Sequence, residues 1–479
     1  MLILLLILIP LLGGLLTFMT PSSKASYTAI ISSIGTLIVA GSIYFLYTQQ
    51  RNAEMFAFDA QWIENIGARF TIGISHGLAL LMVMLTALAF PLIYIFIHHQ
   101  KRENKSVFYG LMSLAQMGLM GVFIAKDALL FYGFWEIALI PVYFLSSMYG
   151  GSRRIAVTFK FFVYTFVGSL LMLVSLLYIY QHTNIHSFAW NSFVEAGRNL
   201  PLGSQIWLFC LMFVAFAIKM PIFPFHTWQP DAYEQSATPV TIVLSALMVK
   251  MGLFAVLIWL IPVLTLGADY WMNTIMILSV IGIVYASCLA MVQTNIKRLI
   301  AYSSIAHVGL MCAAIFSQHE LGIQGAIVQM FNHGINIMGL WFIVSILEDR
   351  LNTQDLNQMG GIAKVAPTFT IALVLISLAN IALPLTNGFV GEFMMFNGVF
   401  NAASPYRVSL TVVAGLGVIF AAVYTLSMIR KVAFGNVNTN TENFKDLSNN
   451  ELFILVLIML LILVLGFYPS LITNLIAGN

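Results

Sequence analysis

The chain has 479 residues but only 39 charged side chains, 21 Lys+Arg and 18 Asp+Glu. A soluble chain of this length would carry about 120, because charged residues make up roughly a quarter of soluble domains. Hydrophobic residues account for 60% of the sequence, and the mean hydropathy is +0.93. Lipid is therefore the solvent for most of the chain. This composition excludes a cytosolic enzyme and a secreted disulfide scaffold, and the net charge of +3 is too small for a nucleic-acid binder.

The cysteines and the first residues agree with a membrane protein. Cys210, Cys288 and Cys312 stand alone in apolar stretches without a paired motif, so we expect buried thiols that act as small hydrophobic side chains. Residues 1–10 are apolar but have neither a basic start nor a small-residue cleavage site. We therefore expect a retained membrane helix here rather than a signal peptide.

Apolar runs of about 20 residues, enough to cross a hydrocarbon core of about 30 Å, recur along the whole chain. They predict an all-α polytopic membrane protein with about fourteen transmembrane helices. The predicted spans are 2–20, 27–48, 74–97, 107–124, 129–148, 158–180, 205–225, 239–261, 271–292, 299–316, 322–346, 368–396, 407–429 and 452–474. The longest polar stretches, 49–73, 181–204 and 432–451, are interpreted as loops, which leaves no room for a soluble domain.

The basic residues predict the orientation of these spans. If the N-terminus is outside, the inner loops hold 14 of the basic residues and the outer loops hold 5. The positive-inside rule therefore predicts that both termini lie on the outer side. The inner set is Lys24, Lys101, Arg102, Lys105, Arg153, Arg154, Lys160, Lys297, Arg298, Arg350, Lys364, Arg430, Lys431 and Lys445, and the outer set is Arg51, Arg69, Lys126, Arg198 and Arg407.

Two predicted spans are interrupted by helix breakers beside an ionisable residue. The seventh carries Pro221 and Pro224 after Lys219, and the twelfth carries Pro384 before Glu392. Broken helices occur at membrane depth only where protein or a water cavity satisfies the freed backbone groups. A matched pair five spans apart predicts two inverted five-helix repeats, spans 4–8 and 9–13. The alternative is that prolines, which are ordinary in membrane helices, coincide by chance.

These repeats predict four segments in the chain. They are an N-terminal three-helix segment (1–106), a first five-helix repeat forming an inner half-channel (107–262), a second repeat forming an outer half-channel (271–431), and a C-terminal transmembrane helix (452–479).

Several predicted spans retain ionisable side chains. A charge at the bilayer centre costs roughly 2.5–3.5 kcal/mol on insertion scales, so such residues are functional by default. Histidine is the type best suited to passing protons, because it titrates near neutral pH. Together they predict an intramembrane proton route. The candidates are Glu136, Lys219, Lys250, His307, His333 and Glu392.

Other interpretations of these residues remain open. Glu136 could be a structural partner of one lysine, a lysine could extend its head group toward the interface, and a buried histidine can be a satisfied core residue. His226, Asp231 and Glu234 are expected at the inner mouth, where they could be solvated loop residues. Asp127 is interpreted as one partner of a charged pair with the adjacent Lys126, at a helix end on the outer rim.

No spacing in the sequence predicts a metal or a nucleotide site. His307 and His333 could in principle hold a haem between adjacent helices. The lysines and glutamates on neighbouring spans favour a wet proton route instead, so no cofactor is predicted in this chain.

Four motifs resemble those of a known family, the antiporter-like subunits of complex I, the proton-pumping NADH:quinone oxidoreductase. Residues 134–145 (Phe-Trp-Glu-Ile-Ala-Leu-Ile-Pro-Val-Tyr-Phe-Leu) resemble the fifth-helix motif of that family. Residues 219–231 (Lys-Met-Pro-Ile-Phe-Pro-Phe-His-Thr-Trp-Gln-Pro-Asp) resemble its broken seventh helix. Residues 298–307 and 331–334 resemble its tenth and eleventh helices. The likeness runs over nearly the whole chain.

Within that family the chain resembles the subunit M branch, the mitochondrial chain-four type. Gly-Phe-Val-Gly-Glu-Phe at 388–393 carries a glutamate where the sister subunits L and N and the multisubunit cation/proton antiporters usually have lysine. The sequence also ends after the fourteenth span, without the lateral helix of subunit L. One departure is Asn336-Ile337, where the family often has smaller residues.

The resemblance implies a role for each candidate residue. Glu136 would pair with Lys219, Lys250 would be the central proton carrier, and His307 with His333 would bridge. Glu392 would pass the proton to the outer side. The resemblance also implies a bacterial inner membrane, partner subunits of types L, N and K, and a peripheral NADH-oxidising arm. NADH, FMN, iron–sulfur clusters and quinone would be bound by partner subunits.

Two other functions remain open from the sequence. A subunit of a multisubunit sodium/proton antiporter would share most of these residues. A structural membrane anchor with vestigial charges is the third possibility. Co-purification with NADH dehydrogenase activity would distinguish a subunit of complex I from both of these alternatives.

Overall fold

The structure, a computed structural model, describes residues 1–50, 56–100 and 102–476. Arg51 and Lys101, two of the basic residues used for the orientation, lie outside the described residues. The helices are α1 (Leu2–Met19), α2 (Ala25–Gln50), α3 (Gly77–Ile97), α4 (Lys105–Ile124), α5 (Ala128–Tyr149), α6 (Arg154–Gln181), α7 (Trp190–Asn199), α8 (Leu202–Lys219), α9 (Gln229–Gln235), α10 (Thr238–Ile242), α11 (Val249–Ala255), α12 (Thr265–Met291), α13 (Ile296–Phe316), α14 (Glu320–Leu351), α15 (Ile362–Val365), α16 (Pro367–Asn380), α17 (Asn387–Phe400), α18 (Arg407–Ala433), α19 (Asn449–Phe467) and α20 (Ser470–Ile476).

The all-helical membrane architecture predicted from the sequence is confirmed. Within the described residues, 13 helices are long and apolar enough to cross a membrane. The remaining predicted span, 368–396, consists of the two half-helices α16 and α17. The predicted span 205–225 is also shorter as a helix, because α8 ends at Lys219.

Two stretches interpreted as loops contain regular structure. The stretch 49–73 includes an antiparallel hairpin of β1 (Ala57–Ile63) and β2 (Ala68–Gly73). Its strands are joined by an ion pair between Arg69 and Asp59, and the hydrogen bonds from Arg69 lower the pKa of this carboxyl. The stretch 181–204 includes the short helix α7.

The chain divides into two compact units. The first unit is formed by Met1–Met220 and Leu247–Trp271, and the second by Pro221–Ala246 and Met272–Ala477. The helix that runs through α10 and α11 therefore begins in the second unit and ends in the first. The four-segment division predicted from the sequence stays a prediction.

Glycines allow close helix packing in the first unit. A Cβ atom on Gly118 of α4 would lie 2.6 Å from the backbone nitrogen of Ala138 in α5. A Cβ atom on Gly252 of α11 would lie 2.8 Å from the backbone oxygen of Phe216 in α8.

Asp127 caps α5, because its carboxylate accepts hydrogen bonds from the backbone N–H groups of Leu129 and Leu130. Burial raises the pKa of Asp127.

The second unit is organised around α14, which packs on both halves of the broken helix. A Cβ atom on Gly398 of α17 would lie 2.2 Å from the Cα atom of Gly322 in α14. α14 also contacts α13, α16 and α19. This central position brings the polar residues of α14 against the break between α16 and α17.

The cysteines follow the sequence-based expectation only in part. Cys312 is buried, Cys210 is half-buried and Cys288 is exposed. The expectation of burial is therefore wrong for Cys288, which lies on the surface of α12. In a chain of this composition lipid covers such a surface, so an apolar run does not require burial within the protein.

Candidate functional site

Lys219 is the last residue of α8, where the first unit has its break. The helix ends there because Pro221 has no backbone N–H and restricts the residue before it. The Lys219 side chain is only 3% exposed. Its ammonium nitrogen lies 5.4 Å from the ring centroid of Trp135, close enough for a cation–π contact.

Glu136 follows Trp135 on α5 and interacts with Lys219 through space. The predicted pair is not in direct contact. The Glu136 Oε1 and Lys219 Nζ atoms are both buried, and neither has a hydrogen-bond partner among the described residues. A buried polar atom without a partner costs about 1–3 kcal/mol, so both groups are held in a state that a small movement or a water molecule would relieve.

Lys250 is fully buried on α11. The helix is wound as a π-helix on either side of it, at Val243–Met248 and at Val256–Leu260. In the second of these segments the backbone oxygen of Ile258 accepts a hydrogen bond of 2.9 Å from the indole nitrogen of Trp190. Such wide turns are rare and occur frequently at functional sites. The close approach of α11 to α8 at Gly252 brings the helix of Lys250 against the end of the helix of Lys219.

The second break lies between Asn380 and Asn387. Within it Ala382 and Leu385 have positive φ angles of 57° and 75°, a conformation that non-glycine residues rarely adopt. The chain therefore leaves the helix completely before α17 begins. Glu392 lies in α17 and is 7% exposed.

Glu392 contacts His307 of α13. The His307 Nδ1 atom lies 3.2 Å from Glu392 Oε1, and the His307 and His333 ring centroids are 5.5 Å apart. His307 and Glu392 line a cavity of about 20 Å³, enough for one water molecule. A histidine and a carboxylate at hydrogen-bond distance, with a second histidine beside them, can pass a proton between fixed groups.

Two residues at this site, Tyr424 and Ser303, were not among the candidates predicted from the sequence. Tyr424 of α18 lines the same cavity, and its hydroxyl donates a hydrogen bond of 2.9 Å to Ser303 Oγ. Both are buried. Serines and tyrosines are common in membrane helices, so the sequence offers no signal that separates these two from the others.

A third missed residue, Gln116, lies in the first unit. It is fully buried in α4, and both atoms of its side-chain amide lack hydrogen-bond partners among the described residues. Its signal in the sequence is a single polar amide in the middle of an apolar span.

An ion-pair cluster holds the stretch expected at the inner mouth. Arg298 lies 2.9 Å from Asp231 and 2.8 Å from Glu234, so these acids are not simply solvated loop residues. The buried Lys297 lies 2.9 Å from Glu348. These contacts fix α9 and α14 against α13 within the second unit.

His226 is separate from this cluster and packs against aromatic rings. It is 3% exposed, and its ring centroid lies 5.9 Å from that of Phe223 and 5.3 Å from that of Tyr285. Burial lowers the pKa of His226. In this arrangement His226 is a packing residue.

The haem alternative does not fit the two histidines. Rings 5.5 Å apart leave no room for a porphyrin between them, and His307 Nδ1 faces Glu392 rather than an open axis. Among the described residues, no three His, Cys, Asp or Glu side chains form a group that could hold a metal ion.

Comparison with known proteins identifies the family and relatives of this chain. The family described as NADH:quinone oxidoreductase/Mrp antiporter, TM, matches residues 125–417. NADH-quinone oxidoreductase subunit M of Rickettsia prowazekii is 36% identical over 98% of this chain and 95% of its own length. The subunit M of Escherichia coli K12 is 33% identical over 97% of this chain and 94% of its own length.

Solved structures show the same fold. A chain of respiratory complex I from Thermus thermophilus with bound NADH matches with a TM-score of 0.90 and 26% identity, over 99% of this chain and 98% of that chain. A chain of an archaeal membrane-bound sulfane sulfur reductase matches with a TM-score of 0.87 and 22% identity, over 99% of this chain and 96% of that chain. The second likeness shows the fold alone.

Fold and site together define a polytopic membrane protein with buried ionisable residues at broken helices. The chain belongs to the NADH:quinone oxidoreductase/Mrp antiporter transmembrane family. The relatives named subunit M confirm the resemblance to that branch, which the glutamate in 388–393 predicted.

Proposed function

We propose that this chain is a proton-translocating membrane subunit of a respiratory NADH:quinone oxidoreductase. The observation that carries the proposal is the buried contact between His307 and Glu392 at a broken membrane helix. A buried acid–base pair of this kind has a high desolvation cost, and ionisable residues within membrane segments are functional by default. Near full-length likeness to relatives named subunit M supports the choice of enzyme.

In the first unit the proposed carriers are Glu136, Lys219 and Lys250. Lys219 is buried against Trp135, so its charged form depends on the nearby Glu136 carboxylate. Movement of Glu136 toward the lysine stabilises the ammonium ion, and movement away favours loss of its proton. Lys250 is the proposed acceptor, because its helix packs closely on the end of α8.

In the second unit the proposed carriers are His307, His333 and Glu392. A proton on His307 Nδ1 reaches Glu392 Oε1 directly across 3.2 Å. His333 supplies or receives the proton on the other side of His307. Glu392 then releases it toward the outer aqueous phase.

Cofactors, partners and location follow from the same proposal. The chain itself carries no redox group, while NADH, FMN, iron–sulfur clusters and quinone are bound by partner subunits. Those partners are the L-, N- and K-type membrane subunits and a peripheral NADH-oxidising arm. The membrane is the bacterial inner membrane, with both chain termini on the outer side.

A tagged chain purified from its native membrane tests this proposal. The chain should co-purify with NADH-dependent quinone reduction, and the reconstituted complex should acidify vesicles when NADH is added. A sodium/proton antiporter subunit would instead purify without this activity and would exchange Na⁺ for protons. Relatives named as oxidoreductase subunits favour the first outcome.

A further inference from the structure

The first unit contains a cavity of about 260 Å³ that has no part in the proton route described above. It lies where α3 begins, α4 ends and α7 begins, and all of its lining residues belong to the first unit. Lys126 lines it and is one of the basic residues that the predicted orientation places outside. The cavity is therefore expected on the outer side of the membrane.

The walls of this cavity are polar near its mouth and aromatic at its base. Ser75 and Asn191 line it and are exposed, so they mark the mouth. Phe123 and Phe254 line it and are each only 2% exposed, so they form the base. A water molecule occupies about 30 Å³ in the liquid, and a cavity of this size with polar walls can hold several.

The base of the cavity is next to Lys250 along α11. Phe254 follows Lys250 by four residues within the α-helical segment Val249–Ala255, so their Cβ atoms are about 5–6 Å apart on one face of the helix. Side chains in a helix tilt toward its N-terminus, which places the Phe254 side chain over the turn that carries Lys250. Phe254 lines the cavity, whereas Lys250 is fully buried and does not line it. Phe254 is therefore the residue of α11 between the cavity and the lysine.

Aromatic contacts hold the Phe254 ring in this position. Its centroid lies 5.2 Å from that of Phe123 in an edge-to-face arrangement, and 6.2 Å from that of His76. Such a ring pair contributes about 0.5–1.5 kcal/mol, which a side-chain rotation can overcome. A proton moves along water molecules and hydrogen-bonding groups, and an apolar constriction interrupts such a chain by excluding water. The two phenylalanine rings can therefore close the base of the cavity to protons.

We propose that this cavity is an outer aqueous vestibule for the transported proton, and that Phe254 is the gate between the vestibule and Lys250. The inference rests on the proposed function, because it takes Lys250 as a proton carrier. It adds a point at which the first unit meets the outer water. With the ring in place, a proton on Lys250 exchanges only with carriers inside the protein. When the ring turns away, vestibule water reaches the ammonium group and accepts its proton.

Truncation of the Phe254 ring in the whole complex, reconstituted in vesicles, tests the gate. Phe254→Ala should raise the passive proton permeability severalfold in the absence of NADH. NADH-driven acidification should fall by a similar factor while NADH oxidation continues. Phe254→Leu should leak less, because it keeps a larger apolar side chain. Phe90→Ala is the matched control, since Phe90 is fully buried in the same unit and does not line the cavity.

A double variant identifies the route of the leak. Lys250→Met keeps much of the length of the side chain but carries no titratable proton. A leak that passes through Lys250 should therefore return to the wild-type level when Lys250→Met is combined with Phe254→Ala. A leak that persists in the double variant bypasses the lysine and overturns the gate. Wild-type permeability in an assembled Phe254→Ala complex overturns it as well.

Thiol labelling provides a readout that does not depend on pumping. Ala125→Cys places a thiol in the wall of the cavity, and Ala128→Cys places one at a fully buried position outside it. A membrane-impermeant thiol reagent added to the outer face should modify the first and not the second, because modification requires access. Lys250→Cys should be modified only when it is combined with Phe254→Ala. The wild-type complex gives the background from the native cysteines.

The outcomes separate the vestibule from the proposed function. If Ala125→Cys is not modified, or is modified only from the inner face, the cavity is not an outer vestibule. If Lys250→Cys becomes accessible with Phe254→Ala in a complex that does not pump, the gate is supported and the proposed function is contradicted. If Phe254→Ala does not assemble, Phe254→Val takes its place with the same expectations.

Discussion

His307 Nδ1 and Glu392 Oε1 lie 3.2 Å apart, and both side chains are at least nine-tenths buried. The contact joins α13 to the second half of the broken helix. Because no solvent separates the two groups, a proton can move between them without a large rearrangement. The pair therefore acts as one unit, and a change at Glu392 should alter the behaviour of His307 as well.

The first prediction concerns Glu392. Glu392→Gln should reduce proton pumping by about tenfold or more, because an amide cannot accept the proton from His307. The NADH oxidation rate coupled to pumping should fall with it. Glu392→Lys should retain partial activity if the position needs only a titratable group. Acidification of vesicles is the measurement, and Glu320→Gln, at an exposed glutamate, is the control. Wild-type pumping in Glu392→Gln would place the proton exit elsewhere.

The second prediction concerns Glu136. Glu136→Gln should remove the charge that favours the protonated form of Lys219, so pumping should fall by about tenfold or more while the complex still assembles. Glu136→Asp should be milder, because it keeps the charge. Pumping by reconstituted vesicles, normalised to assembled complex, is the measurement. Glu195→Gln, at an exposed glutamate of the same unit, should behave as the wild type. An assembled Glu136→Gln complex that pumps normally contradicts the proposed switch.

The third prediction concerns Lys250. Lys250→Ala should abolish most translocation. Lys250→Arg should also be poor, because guanidinium does not release its proton at any ordinary pH. A lysine with a purely structural role would tolerate arginine, so the arginine variant is decisive. Lys364→Arg, at an exposed lysine, provides the matched control for the same pumping assay.

The fourth prediction concerns His76, which falls in the predicted span 74–97 but in the structure lies just before the membrane helix α3. Its Nδ1 atom accepts a hydrogen bond from the backbone N–H of Ala79 at 3.2 Å. Burial, reinforced by the charge of Lys126, lowers the pKa of His76 to about 4. An unfolded histidine titrates near 6.5, so stability is fully present above about pH 6.5 and is lost as the pH falls toward 4. The loss amounts to at most about 3 kcal/mol.

Substitution of His76 by asparagine tests this pH dependence. Asparagine keeps an oxygen that can accept the Ala79 hydrogen bond but does not titrate in this range. The melting temperature of the purified complex should therefore depend less on pH between 4 and 6.5 in His76→Asn than in the wild type. His99→Asn, at an exposed histidine, should leave the slope unchanged. An unchanged slope in His76→Asn would refute a titrating role.

The breaks were predictable from sequence because their cause is local. Pro221 ends α8 through its own ring, and a lysine or glutamate beside a breaker is visible in the sequence itself. The contact between His307 and Glu392 was not predictable from the residues alone, since it joins two helices far apart in the chain. Both residues were candidates from their place in apolar spans, and the resemblance to a family implied their roles but no geometry.

Other features depended on neighbours that the sequence does not reveal. The hairpin from Ala57 to Gly73 lies in a stretch whose polar residues resemble a loop, and pairing of the two strands stabilises it. Asn336 was noted only as a departure from the family. The hydrogen bond that its side chain donates depends on the backbone oxygen of Ala379, which becomes free only because α16 ends there.

The π-helical turn at Val256–Leu260 has a consequence for Lys250. A π turn contains one residue more than an α-helical turn, and displacement of that extra residue along the helix rotates the residues it passes by about 100° each. If the extra residue moved back past Lys250, the ammonium group would change direction while the helix remained wound. Trp190 of α7 donates a hydrogen bond to the Ile258 oxygen within this turn. A short helix outside the membrane spans is thus tied to the helix that carries this buried lysine, at the turn whose displacement would reorient it.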